Sequence, residues 1–239
     1  MTINEPEKSR IVTVYKPFGW TSFDAVNYLK KALKIKKIGH AGTLDPRAEG
    51  VLVVAIGRAS TKQIPYLQDT RKIYRAKISL GVTTASDDAE FKEENKASTS
   101  HITDADIYEN IKEFTGVISQ KPPHFSAVKV NGVRSYLAAR KGKKIELSER
   151  NVEIFRFDVL NIQRLTYQEE LVEYEKIIIE AEIECSKGTY IRSIARDLGE
   201  KMGVGGYLLS LIRTAVGPYT VDNAKKPEEV IEELKKITS

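Results

Sequence analysis

The period of the apolar positions changes several times along the chain, and each change marks an element. Ile11 to Tyr15 is a β-branched run entering KPFGWTS, where Pro17 and Gly19 predict a tight turn. Thr21 or Ser22 then caps a helix, with Phe23, Val26, Leu29 and Leu33 at helical spacing facing inward and lysines facing outward. The unbroken apolar run Val51 to Ile56 predicts a central strand, and Lys62 to Leu67 a short helix. Lys72 to Leu80 alternates, placing Tyr74, Ala76, Ile78 and Leu80 on one face of a strand and Arg75, Lys77 and Ser79 on the other.

Thr83 to Thr99 is acidic, rich in Ser and Thr, and without period, so a loop is expected. Thr103 and Asp106 form a capping-box pattern ahead of Ile107, Ile111 and Phe114, in a helix that ends at Gly116. Beyond the break at Lys121-Pro-Pro-His, Ala127 to Val130 and the Asn131-Gly132 pair predict a hairpin with a primed turn. Val152 to Arg164 and Leu171 to Cys185 predict two further strands. In the second, Ile177, Ile179, Ala181, Ile183 and Cys185 alternate with charged neighbours, the pattern of a sheet with one wet face. The glycine turn in SKGTYIRSIARDLGEKMG leads into a helix buried through Ile191, Ile194, Ala195 and Leu198. Leu208 to Val216 is a further apolar segment, and Pro227 to Lys236 a short amphipathic helix. Strands outnumber helices and mostly follow one another, with no repeat and no boundary linker. One domain over 1–239 is predicted, of α+β class, with a mixed, largely antiparallel sheet flanked by helices.

At 239 residues and 41% hydrophobic content, the chain can bury a sizeable core. Cys185 is its single cysteine, which excludes an internal disulfide and fits a reducing compartment. The N-terminus is polar and no run of about 18 apolar residues occurs, so a soluble, cytoplasmic protein without a membrane partner is expected. Thirty-eight Lys and Arg against 33 Asp and Glu give a net charge of +5, a mild bias toward a polyanionic partner. Lys30, Lys31, Lys34, Lys36 and Lys37 form one basic cluster and Arg140, Lys141, Lys143 and Lys144 a second, while acids gather from Asp87 to Glu94. The first cluster is equally well explained as the solvated face of a helix.

Candidate chemistry centres on IGHAGTLDPRAEGVLVVAI, where Asp45 sits in a glycine-rich loop that feeds an apolar strand. Gly39, Gly42 and Gly50 permit turns that other residues resist, and Pro46 disfavours helix at Asp45. Catalytic groups favour such loops, yet an Asp before Pro is by itself an ordinary turn residue. His40, His101 and His124 are far apart and Cys185 lacks a partner at ligand spacing, so no metal site is expected. GRASTK at Gly57 to Lys62 lacks the glycine that a phosphate loop requires before its lysine. No dinucleotide fingerprint occurs, and neither Ser22 nor Ser126 has the glycine elbow of a nucleophile.

Several segments together carry a resemblance that none carries alone. KPFGWTS, GHAGTLDPRAEGVL, KIYRAKISLG, PPHFSAVKVNGVRSYLAAR, CSKGTYIRSIARDLG and LIRTAVG resemble, in order, the motif series of the TruB-type bacterial tRNA pseudouridine synthases, from about Lys16 to Gly217. The resemblance implies the pseudouridine synthase fold and isomerisation of uridine 55 in the T-loop of tRNA, without cofactor or metal. It implies that Asp45 is the catalytic aspartate acting at the N1–C1′ bond, that Arg192 pairs with its carboxylate, and that Tyr74 stacks on the flipped base. Tyr190 would lie near the uracil ring, Leu211 would line its pocket, and His40 would hold the opened loop in place of the extruded base. Lys16 and Lys62 would contact phosphate, and Asp88 would belong to a supporting polar network.

The same resemblance implies a small inserted RNA-contacting segment around residues 121–150. Family members commonly carry an RNA-binding PUA domain after the catalytic one; here the chain ends about twenty residues past the last motif, so no PUA domain is expected. Phe91 also replaces the glycine that often follows the acidic pair. The partner expected is the tRNA T-arm stem-loop, bound by a monomer with no protein partner evident. The rival class is a non-catalytic tRNA-binding or folding protein on the same scaffold, and a third reading is the same reaction on another RNA.

Overall fold

The computed structural model describes residues 9–126, 128–130, 133–140, 146–169 and 172–238. In chain order the elements are β1 (Arg10–Lys16), α1 (Ser22–Ala32), β2 (Ile38–His40), β3 (Ala48–Ile56), α2 (Arg58–Thr61), α3 (Ile64–Gln68) and β4 (Lys72–Leu80). There follow β5 (Thr83–Thr84), β6 (Glu93–Glu94), α4 (Asp104–Lys112), β7 (Gly116–Gln120), β8 (Lys129–Val130), β9 (Val133–Arg134) and α5 (Ser135–Ala139). The chain continues through β10 (Arg150–Glu169), β11 (Val172–Cys185), α6 (Ile191–Lys201), β12 (Gly206–Val216), β13 (Tyr219–Thr220) and α7 (Pro227–Thr238). Two compact units make up the chain, one holding residues up to Tyr74 and from Leu211 on, the other Arg75–Ser210.

The first unit is organised on β3, whose apolar run suits a strand buried on both faces. On one edge β1 pairs antiparallel, Arg10↔Ile56 through Lys16↔Gly50. On the other, β2 pairs antiparallel with its end and β12 parallel with its start, Leu211↔Ala48 through Arg213↔Gly50. One face carries a core of Val14, Ala25, Val26, Leu29, Leu52, Val54, Ile56, Val230 and Ile231, drawn from α1, α7 and the strands, and the other face packs Ala41, Val51, Val53 and Val216. Helix α1 starts in a capping box: Thr21 Oγ1 accepts from the Asp24 N–H and the Asp24 carboxylate accepts from the Thr21 N–H. Its buried stripe is Ser22, Ala25, Val26 and Leu29, whereas Phe23, expected inside, is 69% exposed. The inward place at the first turn belongs to Ser22, whose hydroxyl bonds the backbone of Leu44.

The second unit is built on the long antiparallel pair β10–β11, running from Ile154↔Cys185 to Glu169↔Val172 with two register irregularities. β7 pairs antiparallel with β10, and β4 lies beside β11. Ile177, Ile179, Ala181, Ile183 and Cys185 are fully buried, as their alternation predicts. On β4, Tyr74, Ala76, Ile78 and Leu80 are buried while Arg75 and Lys77 are exposed.

Helix α4 has the capping box expected from Thr103 and Asp106, but it ends at Lys112, and Gly116, with φ 95°, opens β7 instead of closing the helix. The expected loop from Thr83 to Thr99 holds the short pair β5–β6. β8 and β9 pair as the expected hairpin; its turn residues Asn131 and Gly132, the basic residues Lys141, Lys143 and Lys144, and Leu171 lie outside the described residues. The class is α+β, with antiparallel pairing throughout the registers above except β3–β12.

Candidate active site

In the first unit, Asp45 is half-buried in the loop between β2 and β3, and both of its neighbours are pinned. The hydroxyl of buried Ser22 accepts from the Leu44 N–H at 2.8 Å and donates to the Leu44 carbonyl at 3.1 Å, which is why α1 turns a serine inward. On the far side, the Pro46 carbonyl accepts from the Gly19 N–H at 2.8 Å and from Lys16 Nζ at 3.4 Å. The Asp45 carbonyl itself accepts from the Ala48 N–H at 3.0 Å, closing the turn into β3. A carboxylate held through the backbone on both sides keeps its direction.

Lys16 has no exposed surface, and its ammonium donates to the carbonyls of Pro17 (2.9 Å), Trp20 (2.6 Å) and Pro46 (3.4 Å). Burial lowers its pKa to about 8, although the charges of Glu49 and Asp45 oppose the shift. Where a phosphate contact was expected of Lys16, its ammonium instead meets the turn after β1 through Pro17 and Trp20 and, at the longest of the three distances, the Asp45 loop through Pro46. Lys62, by contrast, is exposed just after α2.

Arg213, on β12, was not among the residues singled out from the sequence. It is 1% exposed, and its guanidinium donates to the carbonyls of Val51 (2.8 Å), Gly42 (3.1 Å) and Thr43 (3.5 Å). The only sequence signal for it is a charged residue inside the apolar run of LLSLIRTAV. Gly50 is what lets β3 reach β12 here: at φ 100°, a Cβ on it would lie 2.3 Å from the Arg213 carbonyl oxygen. The resulting register sets Leu211 opposite Ala48, three residues after Asp45. His40 lies on β2 with a buried Nδ1 that has no hydrogen-bond partner among the described residues, and burial, reinforced by the Arg213 charge, lowers its pKa. His40 is thus held neutral at neutral pH. Tyr74 is 8% exposed on β4.

The second unit holds Asp88, Tyr190 and Arg192. Arg192, in the first turn of α6, donates to the carbonyls of Phe125 (3.0 Å) and Ser86 (3.3 Å) and faces the Asp88 carboxylate at 3.6 Å. Asp88 also accepts from Ser86 Oγ and from the Glu90 N–H at 2.9 Å. Tyr190 is the N-cap of α6 and offers no side-chain cap. The fully buried Gln120 makes the connection instead, accepting from the Tyr190 N–H at 2.8 Å and donating to its carbonyl at 3.0 Å. The Arg150 guanidinium stands 4.7 Å from the Tyr190 ring centroid. Gln120, like Arg213, acts through long-range hydrogen bonds that leave no local pattern.

Among the described residues no group of His, Cys, Asp and Glu side chains is placed to hold a metal ion, and no helix is long and apolar enough to cross a membrane.

The structure is similar to that of a chain in the crystal structure of a Cbf5–Nop10–Gar1 complex, with a TM-score of 0.68 and 26% identity, covering 95% of this chain and 55% of that one. The sequence model of the TruB family pseudouridylate synthases, N-terminal domain, matches residues 30–191. Fold and sequence together define a pseudouridylate synthase, an isomerase. Within that class the chain belongs to the TruB family. The tRNA pseudouridine synthase B of Paenarthrobacter aurescens is 45% identical over 227 residues, 95% of this chain and 70% of its own length. That of Chloroherpeton thalassium is 42% identical over 92% of this chain and 88% of its own.

Proposed function

We propose that the protein isomerises uridine 55 in the T-loop of tRNA to pseudouridine, with Asp45 as the catalytic carboxylate. The observation that carries the reading is the Asp45 loop itself, an acid clamped on both sides by Ser22, Gly19 and Lys16 in a chain 45% identical to a tRNA pseudouridine synthase B. Uridine stacked in a folded loop is out of reach, so it is extruded at a cost of a few kcal/mol. Stacking on an aromatic side chain returns about 1–3 kcal/mol, the role assigned to Tyr74. The ionised Asp45 carboxylate then either displaces the uracil anion from C1′ or removes the C2′ proton to expel it. The freed uracil turns and rejoins C1′ through C5, displacing the Asp45 carboxylate in the first route or adding at C1′ while Asp45 returns the proton to C2′ in the second. It then loses its C5 proton to a base, for which Tyr190, a water or Asp45 are the candidates.

In this scheme Arg192 serves the carboxylate of Asp45, Leu211 and Tyr190 confine the uracil, and neutral His40 occupies the place the base leaves. Asp88 orients Arg192, and exposed Lys62 meets phosphate. Lys16 is reassigned from phosphate contact to holding the Pro46 carbonyl. The protein acts as a single catalytic unit in the cytoplasm, as a monomer that needs no cofactor. Mapping pseudouridine across total RNA with and without the protein tests the reading: a single new site at tRNA position 55 is expected. Binding of tRNA with every uridine unchanged would favour a non-catalytic RNA-binding protein, and sites confined to other RNAs would overturn the substrate.

A further inference from the structure

Helix α6 carries two arginines one turn apart, and only the first has a role above. Arg196 is 17% exposed and donates to Asp87 Oδ2 at 3.0 Å, to the Lys121 carbonyl at 3.0 Å and to Asp197 Oδ1. Arg192 meanwhile holds the Ser86 and Phe125 carbonyls and faces Asp88. The two side chains therefore grip the same two segments, residues 86–88 and 121–125, at successive turns. Ser193 adds to the second grip, its hydroxyl donating to the Lys121 carbonyl at 2.8 Å.

Asp87 sits at the pivot. Its φ is 60°, a left-handed conformation that few residues besides glycine, Asn and Asp adopt, and its carbonyl accepts from the Leu208 N–H at 3.0 Å. The backbone there turns the Asp87 carboxylate toward Arg196 while its neighbour Asp88 turns toward Arg192. Such a turn persists only when its surroundings over-determine it.

Resting on the function proposed above, we infer that Arg196 and Asp87 form a positioning pair for the isomerisation, fixing residues 86–88 and 121–125 so that Asp88 and the Phe125 carbonyl hold Arg192 in its working orientation. The pair needs Asp87 ionised. Burial pushes the Asp87 carboxyl up to about 6, against the lowering charges of Arg196 and Arg192 and with a raising contribution from Asp197. A polar cavity of about 580 Å³ opens beside the pair, bringing Lys121 and His124 from one segment, Glu113 from the end of α4 and Glu149 from the approach to β10 to the same space.

The test uses the full chain with a T-arm minihelix as substrate. R196A and D87N are each expected to lower the single-turnover rate at least tenfold while the minihelix Kd stays within twofold, and the double variant should be no slower than the worse single. Hydrogen exchange at the Glu90 amide, which donates to Asp88, should accelerate in R196A. The acid limb of the wild-type rate profile near pH 6 should vanish in D87N, which keeps the shape and left-handed tolerance of Asp87 and so stays readable should R196A fail to fold. R196K, which keeps charge but not the three-way grip, should recover part of the rate. Rates within twofold of wild type in both variants, multiplicative effects in the double, or unchanged exchange at Glu90 would overturn the inference. A wild-type protein that makes no pseudouridine overturns the underlying function instead, and leaves the exchange result to decide the pair.

Discussion

Removing the Ser22 hydroxyl is the sharpest way to ask whether the Asp45 loop is held as described. Ser22 is 2% exposed, and its one oxygen serves both the N–H and the carbonyl of Leu44. In Ser22→Ala both groups lose that partner in a buried setting, at about 1–3 kcal/mol each. The two losses are not additive, because the vacated space admits some relaxation, so about 2–4 kcal/mol is expected in all. For a chain of this length each kcal/mol moves Tm by roughly 2–4 °C, so the variant should melt roughly 4–16 °C lower. The chemical cost is separate. A displacement of about 1 Å in a reacting group costs on the order of 100-fold, so the single-turnover rate should fall by about that factor at temperatures where the variant is folded. The assay pairs thermal unfolding by near-UV circular dichroism with tritium release from a minihelix labelled at C5 of the target uridine. A variant with wild-type Tm and wild-type rate would refute the clamp. A lowered Tm with an unchanged rate would show that Ser22 supports the fold without directing Asp45.

Gly50→Ala should destabilise by at least about 3 kcal/mol, since the new methyl meets the Arg213 carbonyl at 2.3 Å and the backbone sits at φ 100°; a urea midpoint close to wild type would contradict the tight β3–β12 approach. Asp87 predicts a pH dependence of definite sign. Its folded pKa of about 6 lies above the usual 3.8, so the native state binds this proton more tightly than the unfolded one, and its contribution to stability is greatest below about pH 4, falls as pH rises, and levels off above about 6. Asp87→Asn should remove that fall, gaining about 2–3 kcal/mol relative to wild type between about pH 4 and 7 in urea titrations; a constant difference across the range would refute it.

Much of the fold was legible because it is written in local periods. The alternation of Lys72 to Leu80 and of Ile177 to Cys185 gave both strand and buried face, and the capping boxes at Thr21 and Thr103 gave helix starts. β7 was missed because the five residues Gly116–Gln120 ahead of the Lys121-Pro-Pro break show no apolar alternation, and its pairing with β10 is long-range. Phe23 was misplaced because helical spacing alone does not say which rim of a stripe is covered; the demand of the Leu44 backbone for a hydroxyl decided that Ser22 faces in.

The candidate site divides in the same way. Asp45 stood out as an acid in a glycine-rich loop, but the roles of its companions came from the ordered resemblance. Arg213, Gln120 and Arg196 escaped notice because each works through hydrogen bonds to backbone or carboxylate groups far away in sequence, a geometry no spacing encodes. Lys16 drew its expected phosphate role from the resemblance, and no sequence pattern shows that it is fully buried with its ammonium on the Pro17, Trp20 and Pro46 carbonyls.

The central claim is that the Asp45 carboxylate, and no other group, starts the chemistry. Asp45→Asn changes one oxygen for an amide and leaves the Ser22, Gly19 and Lys16 contacts to its neighbours untouched. Pseudouridine formed on a T-arm minihelix under single-turnover conditions, measured beside minihelix binding, is the direct measurement. Binding at wild-type strength with no pseudouridine above background is predicted, and turnover near the wild-type rate would contradict the account.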